Sequence, residues 1–467
     1  MRTHRLAARL AAVASAVATV LAGTVVLTAA PSQAAVVKTN YGFQTSAYGT
    51  RVTSEMVALN MSRSAFSWIG CTRQAGLNPD NTPTAGNHLV ASNSDRNPWV
   101  QLGAVTTKNR TFKNRSTGIV GNQAVSKIAD LTLTGPSPAE GVPGPSFALE
   151  GLTTKARTWA KNGKLYGSTH LSSLDLRLEV PEGTPIDKEL GQLLDAVDEG
   201  IGAVTDLLGE VTGNSIEVPG LGAVRLGHER VIVKKNNVLA RAVALVIDLA
   251  GTDAEVGTAD DSQVLVGYSQ SRVLRNLPKS LMTGYGYPIE MSVADDLLGI
   301  GKVGLEILPC RGTKGKVLGE NLPAQDVLDG ALELGTLTAQ VFGDHRSDGS
   351  GDAWTLGKVT KVGIGSGDQR VELAGIIGVA RVHKKANGTL VRSIKGTSIG
   401  SFTIGGEEQE LPVNSEPVEL PGLGHIQFNL VEKNRNGIRL TAVRITLDPG
   451  ESGQTVINLG NARTAIR

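Results

Sequence analysis

Two stretches of the chain, about two hundred residues apart, carry almost the same sequence. One reads VPGLGAVRLGHERVIVKKNNVLARAVALVIDLAG over 218–251, and the other reads LPGLGHIQFNLVEKNRNGIRLTAVRITLDPG over 420–450. Further matches keep the same order in both halves: Leu149–Leu165 with Leu373–Leu390, Leu102–Thr106 with Leu334–Thr338, Gly70–Gly76 with Pro309–Gly315, and Val264–Val273 with Val456–Ile466. A period of this length is domain-sized, because solenoid and propeller repeats span only about 20–50 residues. The sequence therefore predicts two tandem domains, 41–274 and 284–467, joined by a linker over 275–283.

Each copy of the repeated stretch predicts a β-hairpin. Apolar residues alternate with polar ones on both sides of a turn-rich segment, KKNN in the first copy and EKNRNG in the second. The glycines of PGLG permit positive φ and predict a tight turn before each hairpin. Ala442 interrupts the alternation in the second copy, which predicts a β-bulge there.

The composition agrees with this pattern, since the chain has 57 glycines and many β-branched residues. We expect an all-β fold of two related domains, each sandwich- or barrel-like. One segment differs: residues 184–210 have apolar side chains at three- and four-residue steps, with Thr184 as N-cap and Pro185 in the first turn. This pattern predicts a helical insertion in the first domain. Its apolar stripe packs either on a sheet of its own copy or in the groove of a partner.

The first 34 residues have the features of a signal peptide. Three arginines precede an apolar stretch, Ala11–Ala30, and small residues at Ser32 and Ala34 have the spacing that signal peptidase requires. Cleavage is predicted after Ala34, which makes the protein secreted and extracellular. The alternative is a membrane anchor, because the apolar stretch is long enough to span a bilayer. No later segment has this length and apolar character, so no membrane association is expected after cleavage.

The formal net charge is +2, and it becomes −1 when the three arginines of residues 1–34 are removed. A nearly neutral chain without a long basic run predicts no nucleic-acid partner and no attraction to anionic lipid. Four tryptophans in the whole chain also argue against an aromatic platform for sugars.

No motif predicts a catalytic residue, a cofactor site or a metal site. The stretch GDHRSDGSGDAW over 343–354 resembles a calcium loop, but Arg346 and Thr355 occupy positions where ligands are required. A second acidic segment over 251–261 has no loop consensus. Solvated hairpin loops are the favoured interpretation of both segments, with calcium-dependent stabilisation as the alternative.

Several motifs resemble those of a family of secreted bacterial proteins, the choice-of-anchor P group. They are YGTRV at 48–52, GCTRQAG at 70–76, VPGLGAV at 218–224, and the V-x-x-G pattern of the closing strand. The resemblance implies an extracellular, β-rich and non-catalytic protein. The C-terminal anchor that some members of that group carry is not expected here.

These observations favour a secreted, non-catalytic β-rich protein that acts in the cell envelope or binds an extracellular ligand that the sequence does not identify. The alternative is a secreted hydrolase acting on polysaccharide or cell wall, with two carboxylates facing each other at a site that no motif reveals. Residue patterns alone do not decide between these functions.

The chain has two cysteines, Cys71 and Cys310. Export permits a disulfide, and an even count favours one. The match of GCTRQAG with PCRGTKG places the two cysteines at corresponding positions, which would face each other if the copies pack about a pseudo-two-fold axis. The alternative is two separate buried thiols, each in the core of its own copy.

Overall fold

Antiparallel strands make up most of the described chain. The structure, a computed structural model, describes residues 36–53, 63–79, 88–90, 99–134, 144, 146–173, 175–179, 192, 195, 199, 216–218, 222–249, 263–293, 298–327, 332–365, 370–412, 415–420, 422–447 and 454–467. Of these residues 73% lie in strands and 1% in helices, which confirms the all-β prediction. Among them, no helix has the length and apolar character needed to cross a membrane.

Two predictions fall mainly outside the described residues. The signal peptide, 1–34, lies entirely outside them. Within the helical insertion, 184–210, only Gln192, Asp195 and Glu199 are described, and all three are helical and exposed. Their spacing places them on one polar side of a helix, opposite the predicted apolar stripe.

We refer to residues 36–274 as the first half and to residues 281–467 as the second half; both belong to one compact unit. The strands of the first half are β1 Val37–Thr53, β2 Ser67–Ala75, β3 His88–Val90, β4 Trp99–Leu102, β5 Val105–Lys113, β6 Val120–Thr134, β7 Ser146–Lys161, β8 Lys164–Ser172, β9 Asp175–Glu179, β10 Ile216–Val218, β11 Gly222–Leu226, β12 Glu229–Lys234, β13 Asn237–Leu249 and β14 Gln263–Leu274.

The strands of the second half are β15 Met282–Val293, β16 Leu298–Val303, β17 Glu306–Leu308, β18 Val317–Leu322, β19 Gln325–Val327, β20 Leu332–Leu334, β21 Leu337–His345, β22 Gly351–Ile364, β23 Val371–Lys384, β24 Leu390–Ser393, β25 Ser401–Ile404, β26 Glu407–Glu408, β27 Val418–Leu420, β28 Gly424–Lys433, β29 Gly437–Leu447 and β30 Thr455–Ile466. The predicted hairpins correspond to β12–β13 and β28–β29.

The first half contains two sheets. Sheet I has the order β10, β11, β13, β14, β1, β2, with β12 also paired to β13. Sheet II has the order β3, β4, β6, β7, β8, with β5 paired to β6 and β9 paired to β7. Sheets I and II pack face to face, with strands β1, β13 and β14 against β5–β8.

The second half has the same order of pairing. Sheet III runs β27, β28, β29, β30, β15, β16, with β17 also paired to β15. Sheet IV is built on β21, β22 and β23, which are paired as β5, β6 and β7 are in sheet II; β19 and β20 extend it as β3 and β4 do. Sheets III and IV also pack face to face.

The phase change predicted at Ala442 is present, but the predicted β-bulge is wrong. Thr441 pairs with Asn461 and Val443 with Leu459, so β29 contains no extra residue. Instead, Gly460 opposite Ala442 has φ 60° and Asn429 on the other neighbour has φ 52°. These left-handed residues lie on the two strands that flank Ala442. They change which face of the sheet the following side chains point to, while the pairing of the strands keeps its register.

Backbones of the two sheets approach closely at the centre of each half. In the first half the interface is filled by hydroxyls: Ser126 Oγ donates to the Tyr48 carbonyl at 2.9 Å, and the Thr154 and Ser269 hydroxyls lie 2.9 Å apart. In the second half the positions that correspond to Ser126 and Thr154 in the strand pairing are Gly357 and Gly378. A Cβ on Gly378 would lie 1.8 Å from the Gly460 carbonyl oxygen, so only glycine fits there.

Cys71 and Cys310 form a disulfide with their Cα atoms 5.2 Å apart, within the range of natural disulfides. Near them, Ile69 pairs with Thr45 in sheet I, and Leu308 pairs with Gly284 in sheet III. Each residue of the second pair lies 239 positions after its counterpart, the same separation as that of the two cysteines. The bridge therefore joins equivalent positions of the two halves, Cys71 within β2 and Cys310 two residues after β17. The structure contains this bridge and not two separate thiols.

Candidate ligand-binding cleft

A cleft of about 340 Å³ opens on the face of sheet I that points away from sheet II. The second half forms one of its walls. The lining residues come from five parts of the chain: Ser46, Tyr48, Arg51, Arg63, Phe66, His228, Arg241, Val243, Leu265, Tyr268, Gln270, Leu305, Glu306 and Ile307.

Strand register brings the floor of the cleft together. Gln270 on β14 pairs with Ser46 on one side and with Arg241 on the other. The next row contains Tyr48 and Tyr268, which also pair directly. Because successive side chains alternate between the two faces of a strand, both rows point away from sheet II.

The two tyrosines form a rigid stacked pair, with ring centroids 4.3 Å apart and an angle of 5° between planes. The Tyr268 hydroxyl donates to Gln270 Oε1 at 2.8 Å, and Arg241 Nη2 donates to the same oxygen at 3.1 Å. Burial raises the pKa of both phenols, so they stay neutral. Gln270 thereby fixes one side of the Arg241 guanidinium, whose buried Nε has no hydrogen-bond partner among the described residues.

Arg63 ties the cleft to the second half. Its Nη1 donates to the Leu305 carbonyl at 3.3 Å, and its guanidinium lies 5.7 Å from the ring centroids of Tyr48 and Phe66. Burial lowers the pKa of Arg63. A guanidinium remains protonated in proteins all the same, so the cleft holds a partly desolvated positive charge.

Positive charge dominates the lining, because three arginines face one carboxylate, Glu306. Arg51 lies 3.9 Å from Glu320, outside the lining. Burial and then the charge of Glu320 raise the pKa of Glu306, which weakens the one negative charge in the cleft. Burial and nearby arginines lower the pKa of His228, so this imidazole is neutral at neutral pH.

Such an arrangement suits a small anionic ligand. Guanidinium groups bind carboxylate or phosphate oxygens through paired N–H donors. The volume lies at the lower end of the roughly 300–1,000 Å³ that small-molecule sites occupy. Gln270, Ser46 and the Tyr268 hydroxyl add polar groups that can orient a ligand.

The two cysteines and the segment 343–354, both considered in the sequence, do not line this cleft. Cys310 Sγ lies 3.8 Å from Gln44 Oε1, on the same face of sheet I but away from the lining. In the segment 343–354, Asp348 accepts hydrogen bonds from Ser350, and Asp352 contacts Arg346 and His383. In the described part of the chain, no cluster of His, Cys, Asp and Glu could hold a metal ion. Residues 251–261 lie outside that part.

Sequence reasoning missed all three arginines of the cleft. The pairing of β1 with β14 and of β14 with β13 brings Arg51 and Arg241 together from distant parts of the chain. Arg63 lies outside these strands, and an isolated bridge pairs it with Lys302 of the second half. The available signal was the alternation S-x-Y at 46–48 and Y-x-Q at 268–270, which marks an outward polar face.

Comparison with known proteins adds no family to this description. No protein-family model matches the chain, and a search of curated proteins returns no match.

Proposed function

We propose that this chain is an extracellular, non-catalytic binding protein whose cleft on sheet I holds a small anionic ligand, a sugar that carries a carboxylate or a phosphate. The observation that carries the proposal is the excess of three arginines over one carboxylate in a cleft of ligand size. Two of the three arginines have neutral hydrogen-bond partners: Arg241 donates to Gln270, and Arg63 donates to the carbonyl of Leu305, so these contacts do not neutralise their charge. The third, Arg51, lies 3.9 Å from Glu320.

The rest of the proposal concerns origin and organisation. Residues 1–34 act as a signal peptide, and the mature protein is secreted. The two halves are tandem copies of one β-sandwich domain, with a helical insertion over 184–210 in the first. The repeated strand orders and the equivalent cysteines support duplication, and the disulfide is compatible with an oxidising compartment. Membership of the choice-of-anchor P group is part of the same proposal.

Titration calorimetry with D-glucuronate, glucose 6-phosphate and glucose tests the ligand class. We expect one of the two acidic sugars to bind and glucose to bind much more weakly. Replacing Arg241 by glutamine is expected to weaken binding at least about tenfold, because a hydrogen bond to a charged group contributes roughly 1.5–3 kcal/mol.

Arg444→Gln is the matched control. Arg444 on β29 donates to Asn458 on β30 at 2.9 Å, as Arg241 on β13 donates to Gln270 on β14, but it lies outside the cleft. The affinity for the acidic sugar is expected to be unchanged in this variant. Equal affinity for glucose and the acidic sugars, or equal losses in both variants, would contradict the proposal.

Affinity should also depend on pH. The pKa of His228 lies below its usual value of 6.5 because of burial and then the charges of Arg241, Arg230 and Arg225. A bound anion offsets that repulsion and raises the pKa, so binding takes up a proton and strengthens as the pH falls below about 6.5. Glu306, with its raised pKa, loses its charge in the same direction.

Calorimetry of the wild type and of His228→Gln, from about pH 8 to about pH 5.5, measures this dependence. We expect the variant to retain only the part of the pH dependence that comes from Glu306. A wild-type affinity that is constant or that falls over this range would show that the anion does not lie beside His228.

A secreted hydrolase is the second candidate, and Glu306 is the observation that favours it. A carboxyl group with a raised pKa is what a general acid requires. Incubation with acidic polysaccharides and peptidoglycan tests this function through product release, with Glu306→Gln as the variant. Release that disappears in the variant would establish the hydrolase, whereas binding without release is the result that our proposal predicts.

A further inference from the structure

The outer face of sheet II, the face that points away from sheet I, carries a second concentration of positive charge. Strand β5 has the sequence K-x-R-x-F at 108–112, and β7 has K-x-R-x-W at 155–159. With a period of two, all six side chains point to the same side of the sheet. We call the surface formed by Lys108, Arg110, Phe112, Lys155, Arg157 and Trp159 the basic face.

Register aligns the two motifs across the intervening strand β6. Val125 pairs with both Lys108 and Lys155, and Gln123 pairs with both Arg110 and Arg157. Gly121 likewise pairs with both aromatic residues. The motifs therefore form three parallel rows: lysine, arginine and aromatic.

The segments that form the basic face carry a much larger net positive charge than the chain as a whole. Segments 105–129 and 151–173 together contain nine lysines and arginines and no aspartate or glutamate. Lys108 and Arg110 are exposed, and Lys155 and Arg157 are half-buried. No acid from these two segments compensates the basic face.

The aromatic row supports the arginine row. The Arg157 guanidinium lies 4.7 Å from the centroid of Phe112 and 5.3 Å from that of Trp159. Gly121 makes room for the Phe112 ring, since a Cβ there would lie 2.7 Å from Phe112 Cζ, and 2.8 Å from Trp159 Cβ. On the far side, Trp159 stacks on Tyr166 with centroids 5.6 Å apart.

Polar contacts hold the arginines in place but do not neutralise them. Arg110 Nη2 donates to Gln123 Oε1 at 3.0 Å. Arg157 Nε is buried and has no hydrogen-bond partner in the described part of the chain. Burial and then the nearby charge of Arg110 lower the pKa of Arg157, so a bound anion would relieve this repulsion.

The corresponding face of sheet IV lacks this charge. Its aligned row is Phe342, Trp354 and Arg381, with the Arg381 guanidinium 5.3 Å from a Trp354 centroid. The neighbouring row contains Asp344 and Asp352. Asp352 lies 2.9 Å from Arg346, so acids balance the bases on this face.

We propose that the basic face of sheet II binds an acidic polysaccharide. Two aligned rows of cations on a flat sheet complement an extended chain that carries carboxylate or sulfate groups. Single-stranded nucleic acid is less well matched, because its bases stack on open aromatic faces. Here Trp159 already contacts Tyr166 and Arg157. This surface is separate from the cleft on sheet I.

Affinity electrophoresis tests the proposal with gels that contain polygalacturonate, dextran sulfate or neutral dextran. We expect the full chain to be retarded by at least one polyanion and not by dextran, with the retardation decreasing as salt increases. Arg110→Gln/Arg157→Gln is expected to weaken binding at least tenfold. Arg381→Gln, the matched change on sheet IV, should have no effect.

Four results would overturn the proposal: no retardation by either polyanion, equal losses in the double variant and in Arg381→Gln, tighter binding to single-stranded DNA, or tighter binding to anionic vesicles. Thermal melting of each variant shows whether it is folded. If neither protein binds polyanion, the proposal is wrong, whatever the melting temperature of the double variant.

Discussion

Replacement of both cysteines by serine is expected to lower the free energy of unfolding by up to about 5 kcal/mol. The disulfide closes a loop between residues that are 239 positions apart, so it removes much conformational freedom from the unfolded chain. Both cysteines are almost fully buried, so the loss of the bond also leaves two polar hydroxyls in an apolar cluster with Leu274 and Leu281. Chemical denaturation of the oxidised wild type and of the double variant measures the effect.

Wild-type protein that is unfolded and refolded in reductant should show most of the same decrease in the free energy of unfolding. It lacks the disulfide, as the double variant does, but it carries no new side chain. Thiol labelling of the unfolded, unreduced wild type provides the control, with no reactive thiol expected. Two reactive thiols per chain, or an unchanged denaturation midpoint in the double variant, would contradict the role assigned to the bridge.

Gly378→Ala is expected to lower the free energy of unfolding by at least about 3 kcal/mol, the upper part of the range for overpacked cores. The added Cβ would lie 1.8 Å from the Gly460 carbonyl oxygen and 2.6 Å from its carbonyl carbon. Both contacts are with backbone in sheet III, which cannot move aside as a flexible side chain can. Sheets III and IV would have to separate, and denaturant unfolding detects the loss.

Gly388→Asn is the control for this substitution. Gly388 lies in the turn between β23 and β24 with φ 88°, and a Cβ there meets nothing within 4 Å. Asparagine adopts a left-handed backbone more readily than most residues, so the loss should be about 1 kcal/mol, well below that of Gly378→Ala. Equal stability of Gly378→Ala and the wild type would mean that the two sheets are farther apart than described.

Sequence pattern predicted the strands well because each hairpin is a local feature. Alternation and turn residues at KKNN and EKNRNG are sufficient to place β12–β13 and β28–β29. The β-bulge at Ala442 was wrong because the cause lies on neighbouring strands, at Gly460 and Asn429. Single-strand periodicity cannot reveal a conformation adopted by a residue thirteen or eighteen positions away.

The binding surfaces were harder to predict, for two different reasons. The cleft combines Arg51, Arg63 and Arg241 through tertiary pairing, which no local motif encodes. The basic face did have a local signal, the repeated K-x-R-x-aromatic pattern at 108–112 and 155–159. That signal was hidden because net charge was averaged over the whole chain, so acids elsewhere cancelled the local excess.

The two halves share backbone features but differ on the outer faces of sheets II and IV. Glycines with left-handed φ occupy matching places in both, Gly267 with Gly460 and Gly151 with Gly375, because the strand geometry requires them. By contrast, Arg157 on sheet II lies among basic residues, whereas its counterpart on sheet IV, Arg381, lies beside acidic residues. The first half therefore supplies most of the charged surface through which we propose that the protein binds its ligands.

Difference electron density tests the cleft most directly, in crystals soaked in whichever acidic sugar, D-glucuronate or glucose 6-phosphate, binds in solution. We expect density for that sugar with its carboxylate or phosphate within hydrogen-bond distance of at least two of Arg51, Arg63 and Arg241, and the loss of that density in Arg241→Gln crystals. An empty cleft at a concentration that saturates binding in solution, or density that persists in the variant, would contradict the proposal.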